Sequence, residues 1–157
     1  MVFALLLFLY ERISVAVSIL AMPLLATGAV FVGLWLTGIE LNATAMMGMT
    51  MIIGIVTEVA IFFFSEFEDL VEPGVSVSDS LVFAGSNRLR PITMTTLAAI
   101  LTLLPLALAI GEGSAMQQPL AVAIISGLIV QLPLVLLAMP APFILMNRLA
   151  DRLGRSF

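Results

Sequence analysis

Four long runs of this chain carry no charge: Ile13 to Leu36, Leu41 to Thr57, Pro91 to Ile110, and Pro119 to Met146. A helix needs about 20 mainly apolar residues to cross the ~30 Å hydrocarbon core of a bilayer. No water is present there, so each backbone N–H and C=O must find its partner inside the segment, and a helix achieves this. The second run resumes after Glu58 and stays apolar through Phe64, which places one acid inside a span. With 62% of its 157 residues hydrophobic and 10% charged, the chain has more apolar surface than a soluble domain of that size can bury. The expected class is an all-α integral membrane protein.

Glu58 constrains function as well as fold. If its span runs from about Ala43 to Phe64, the acid lies about 10 Å from the charged end, at 1.5 Å of rise per residue. An acid at that depth is costly unless it is protonated, paired or facing water, and such groups mark ion or substrate paths. The structural alternative is an acid held by hydrogen bonds to neighbouring helices. Thr50, Gly54, Thr57, Glu58 and Ser65 recur at helical spacing, so this face is expected to look inward to other helices. The Phe62-Phe63-Phe64 side is expected to face lipid or packing.

In chain order, residues 1–10 read as the end of a truncated transmembrane helix. A signal peptide would need a basic front and a small-residue cleavage site, and neither is present. Residues 13–36, 43–65, 91–110 and 119–146 read as four complete spans, with a connection at 66–90 holding a short surface helix. Ser76 and Asp79 have the spacing of a capping box for that helix. The chain has no lysine, and its six arginines fall in alternate connections: Arg12, then Arg88 and Arg90, then Arg148, Arg152 and Arg155. The positive-inside rule makes those connections cytoplasmic, including the basic tail 147–157. Leu149, Leu153 and Phe157 give that tail the pattern of a short interfacial helix, with a basic stop after the last span as the plainer reading.

No cysteine or histidine is present, which removes thiol chemistry, the commonest metal ligand and the usual general base. No nucleophile–base pair stands out, so an enzyme is not expected. Met46, Met47, Met49 and Met51 admit a soft-metal path, but methionine in an apolar helix more often serves packing. Gln131 reads as interhelical glue. Gly111–Gly113 reads as a loop hinge, lacking the lysine of a phosphate-binding loop.

The block Arg88-Leu-Arg-Pro-Ile-Thr-Met-Thr95 and its continuation through Gly111-Glu-Gly-Ser-Ala-Met-Gln-Gln-Pro-Leu-Ala-Val-Ala-Ile-Ile-Ser-Gly127 closely resemble the last two membrane helices of resistance–nodulation–division (RND) efflux permeases. Gly54-Ile-Val-Thr-Glu-Val-Ala-Ile61 is similar to that family's tenth helix, and Tyr10-Glu-Arg-Ile-Ser14 to the turn between helices eight and nine. The resemblance implies a C-terminal membrane segment of a twelve-helix transporter, from the end of helix eight to helix twelve. It also implies an inner-membrane, proton-driven exporter of drugs or other amphiphiles, powered by the proton-motive force without a cofactor. Heavy-metal cation export and a non-transporting membrane scaffold are the alternatives. Implied partners are the rest of the same permease, a homotrimer, a periplasmic adaptor, an outer-membrane channel and lipid, with no nucleic acid. In the family, protons pass a relay of two aspartates, a lysine, a threonine and an arginine. The threonine position corresponds to Thr95 and the arginine to Arg88. The lysine position falls on Glu58, and the heavy-metal branch tends to carry glutamate there. On residue chemistry alone, Thr95 is more simply a hydroxyl bonded back to its own helix, a role open equally to Thr93, Thr96 and Thr102. Arg88 and Arg90 are more simply topology anchors.

Overall fold

The computed structural model describes residues 2–11, 13–70, 73–74, 76–138, 141, 144–145, 148–149 and 152. Among them every regular element is helical. α1 spans Val2–Tyr10, α2 Ile13–Thr37, α3 Ala43–Leu70, α4 Val77–Ala107 and α5 Ser114–Pro133, followed by a π-helical turn at Leu134–Ala138. α2 to α5 are each long and apolar enough to cross a membrane.

α5 is the centre of the bundle, with α2, α3 and α4 all packed against it. Small residues let the backbones come this close. A Cβ added at Gly33 of α2 would overlap the Ser126 side chain of α5, and one at Gly127 of α5 would overlap Ile52 of α3. At Gly48 the added carbon would sit 2.8 Å from Ala123 Cβ and 2.9 Å from the Leu120 carbonyl. Without a water-driven force between helices, such contacts carry membrane-helix association through dispersion. Ala121, Val122, Ala123, Ile124 and Leu128 are buried in this seam. Gln131 is buried with them at 2% exposure, and its Oε1 has no partner among the described residues. At the far end of α4, Gln118 Nε2 donates to the Ala107 carbonyl over 2.9 Å and ties the α4–α5 turn shut.

Helix lengths differ from the expected ones. α3 continues to Leu70, and α4 runs unbroken from Val77 through Arg88, Arg90 and Pro91 to Ala107. The connection expected over 66–90 therefore contracts to the few residues between Leu70 and Ser76, and its surface helix is the first part of α4. Ser76 is the N-cap: its Oγ accepts from the Asp79 backbone N–H over 3.2 Å and donates to the Asp79 carboxylate over 2.7 Å. The last span was expected to reach Met146. α5 gives way at Pro133 to the π-turn, and much of the stretch beyond Ala138, including most of the expected tail helix, lies outside the described residues.

The phenylalanine triplet, expected to face lipid or packing, divides between the two. Phe63 and Phe64 are buried at 1% and 0% exposure, and only Phe62 is open, at 49%. Consecutive residues on a helix point about 100° apart, so three in a row cannot share a lipid face. Phe63, Phe64 and Phe67 stack edge to face instead, with centroids 6.0 Å and 6.2 Å apart.

Candidate functional site

The α3 face bearing Glu58 turns away from the bundle centre. Thr50, Gly54, Glu58 and Ser65 are exposed, whereas Gly48, Ile52, Val56 and Ala60 are buried against the seam. Among the helices of this chain, the face expected to look inward is the open one. Glu58 forms a ridge there between two grooves. The first, about 710 Å³, lies between α2 and α3, with Pro23, Thr27, Gly54 and Thr57 in its wall. Pro23 leaves the α2 backbone one donor short, and Thr27 Oγ1 donates to the Pro23 carbonyl over 2.7 Å. The second, about 350 Å³, lies between α3 and α4, and Glu58, Phe62, Arg88 and Thr95 all line it. The three residues singled out by sequence thus share one groove.

The antiparallel register of α3 and α4 explains the convergence. Arg88 Nη2 lies 3.0 Å from Glu66 Oε2, and Asn87 Nδ2 donates to Glu66 Oε1 over 3.0 Å. Eight residues along α3 from Glu66 is Glu58, and eight along α4 from Arg88 is Thr96, the neighbour of Thr95. At 1.5 Å per residue both steps rise about 12 Å, so Glu58 and Thr95 are level and Arg88 lies about two turns nearer the α3–α4 connection. Arg88 is held at that lower level. Its guanidinium carbon sits 5.8 Å from the Phe62 ring centroid, and its Nε is buried without a partner among the described residues.

The groove's hydroxyl is partly committed. Thr95 Oγ1 is 3.0 Å from both the Pro91 and the Ile92 carbonyl and has one proton to share between them. Its lone pairs remain free to accept from a protonated carboxyl or a water in the groove. Thr93 and Thr102 also donate to their own helix, over 2.6 Å and 2.8 Å, while Thr96 is buried with its hydroxyl unpartnered among the described residues. Only Thr95 of these four lines the groove with Glu58. Met46, Met47 and Met51 are exposed, and no group of three His, Cys, Asp or Glu side chains among the described residues is placed to hold a metal.

Glu66 is the residue that sequence reasoning passed over, because it opened what looked like a polar connection. A usable signal was present: Glu58, Phe62 and Glu66 repeat at four-residue spacing and form one stripe along α3.

Comparison with known proteins gives three results. A family model described as the AcrB/AcrD/AcrF family matches residues 1–147. The swarming motility protein SwrC of Bacillus subtilis (strain 168) is 43% identical over 94 residues, covering 60% of this chain and 9% of that protein. The crystal structure of a heavy metal efflux pump superimposes with a TM-score of 0.80 at 32% identity, over 93% of this chain and 15% of the pump chain.

Proposed function

This chain belongs to the AcrB/AcrD/AcrF family of RND permeases, multi-pass membrane proteins, and we propose that it supplies proton-translocation helices to a proton-driven exporter. The observation that carries this reading is the convergence of Glu58, Thr95 and Arg88 on one groove between α3 and α4. Glu58 is the group that takes up and releases the proton. In its neutral form it is compatible with the apolar walls around it, and in its ionised form it needs a cation, hydrogen-bond donors or water. Thr95, level with it, offers lone pairs to the protonated carboxyl. Arg88 places a positive charge toward one mouth of the path. Loss of charge at Glu58 changes what both adjoining grooves attract, which is how a proton would bias one arrangement of packed helices over another.

The driving force in this reading is the proton-motive force, with no cofactor and no enzymatic reaction. The matched relatives are far longer than this chain, so the exported substrate concerns the whole permease. Drugs or other amphiphiles are one reading. Heavy-metal cations are a second, favoured by the likeness to a heavy metal efflux pump and by an acid at position 58. Homotrimer formation, a periplasmic adaptor, an outer-membrane channel and a cytoplasmic C-terminus complete the proposal. Glu58→Gln keeps shape and hydrogen-bonding capacity but cannot ionise. In the full-length permease it is expected to leave abundance and assembly intact and to bring proton-dependent export in proteoliposomes to background. Wild-type export by that variant would reduce Glu58 to a packing residue and favour a scaffold.

A further inference from the structure

We propose that the junction of α3, α4 and α5 holds one ordered water, bonded to Thr96 Oγ1 and Gln131 Oε1. Thr27, Thr37, Thr50, Thr57, Thr93, Thr95 and Thr102 each donate to a carbonyl three or four residues back on their own helix. Thr96 does not: it is buried, and its hydroxyl has no partner among the described residues. A neighbour has taken its usual acceptor. The Ile92 carbonyl, four residues back, already stands in the α4 ladder and takes a share of the Thr95 hydroxyl, which leaves no lone pair open. Gln131 Oε1 is a second oxygen buried without a partner among the described residues. Buried polar groups in this condition are the ones that ordered waters serve.

Both side chains point into the junction. Thr96 lies eleven residues from Gly85 and eleven from Ala107, a separation that turns a helix by three turns and about 20°, so the three share one face of α4. Ala107 meets Gln118 of α5, and a Cβ at Gly85 would sit 3.5 Å from Leu136 of the π-turn and 3.7 Å from Phe63 of α3. Gln131 is turned about 40° from Gly127, which meets Ile52 of α3, and about 140° from Ser126, which meets Gly33 of α2. The levels agree by two routes. Thr96 is midway between Gly85 and Ala107, which sets it opposite Gly127, midway between Gln118 and Leu136. Gln131 is about one turn beyond Gly127, and its side chain leans back toward the N-terminus of α5. Through α3, the Glu66–Arg88 pair sets Thr96 beside Glu58, and the Ile52–Gly127 contact sets Gln131 beside Val56, two residues away. The oxygens are not bonded to each other, and one water bonded to both spans up to about 5.5 Å. The chemistry matches, since Thr96 offers a donor, Gln131 Oε1 an acceptor, and water is both. A cation fits less well. Ile92, Ile124, Leu128 and Val135 around the pair are buried and apolar, and a charge held there by two neutral oxygens is costly.

The test is a density map of the full-length permease in lipid nanodiscs, at a resolution that shows ordered water. A peak within hydrogen-bond distance of both oxygens is expected. No peak, a direct Thr96–Gln131 bond, or a peak that vanishes when choline replaces sodium in the buffer would each overturn the assignment. Thr96→Ser keeps the hydroxyl and is expected to keep the peak. Thr96→Val should lose the peak and melt at a lower temperature, because the Gln131 amide is then buried without its partner. Gln131→Leu should also lose the peak but melt close to wild type. Thr95 can then bond to the Pro91 carbonyl alone and yield the Ile92 carbonyl to Thr96. Adding Gln131→Leu to Thr96→Val should restore the melting temperature that Thr96→Val loses. Additive effects of the two substitutions, or a peak that survives in either single variant, count against the site. If Thr96→Val does not assemble, the maps of the wild type and of Gln131→Leu decide.

Discussion

The two sides of α3 are built on opposite terms. One side, through Gly48, Ile52 and Val56, meets α5 so closely that a single added carbon overlaps its neighbour. The other, about half a turn around, carries Gly54, Thr57 and Glu58 along open grooves, and a carbon added at Gly54 meets nothing within 4 Å. Both sides use glycine, but at Gly48, against Leu120 and Ala123, and at Gly127, against Ile52, the residue is needed for contact within the chain, while at Gly54 nothing among the described residues explains it. A membrane helix gains by packing small residues and loses by showing an acid to lipid. The open side is therefore the one that requires further helices or water, and the filled side is the framework that holds it in place.

The sharpest way to break this contrast is to overfill the seam. Gly127→Leu forces a branched side chain into the space of Ile52, and overpacking of this kind costs about 1–3 kcal/mol or more. The full-length protein is expected to lose thermal stability and several-fold in membrane abundance; unchanged melting in detergent would show that the seam is looser than its geometry. Gly54→Leu makes the complementary change on the open side. Little change in melting is expected, but export should fall by roughly tenfold or more, because a misplaced helix beside Glu58 spoils its alignment. If Gly54→Leu exports normally, that face meets only lipid. The smallest effect is expected at Gln131, inside the seam. Its Oε1 is buried without a partner among the described residues, so Gln131→Leu should be neutral or stabilising by about 1 kcal/mol in a melting experiment. A loss of similar size would support the interhelical bond expected from the sequence.

The elements themselves were legible in the sequence, because an uncharged run of bilayer length has few other solutions. Glu58 was legible as an anomaly, and Thr95 and Arg88 through the block that resembles RND helices. What escaped was everything that depends on rotation and register. The sequence treats Glu66, Arg88 and Arg90 as loop charges, since charge is the usual mark of a span's end. In the folded chain Glu66 and Arg88 satisfy each other across two helices, and α4 continues through them and through Pro91. The orientation of Phe63 and Phe64 was illegible for a related reason. An apolar residue is equally content against lipid and against protein, so hydrophobicity does not report which way a membrane helix faces.

The central place of α5 also has a meaning for biosynthesis. α2, α3 and α4 each find much of their tight packing on a helix that follows all three in the chain. As the polypeptide leaves the ribosome, the earlier segments enter the bilayer with their small-residue faces, Gly33 and Gly48 among them, still covered by lipid tails. The α5 seam is then the last of these packings that can close, whereas the grooves beside Glu58 are walled by α2, α3 and α4 alone, helices that precede α5 in the chain.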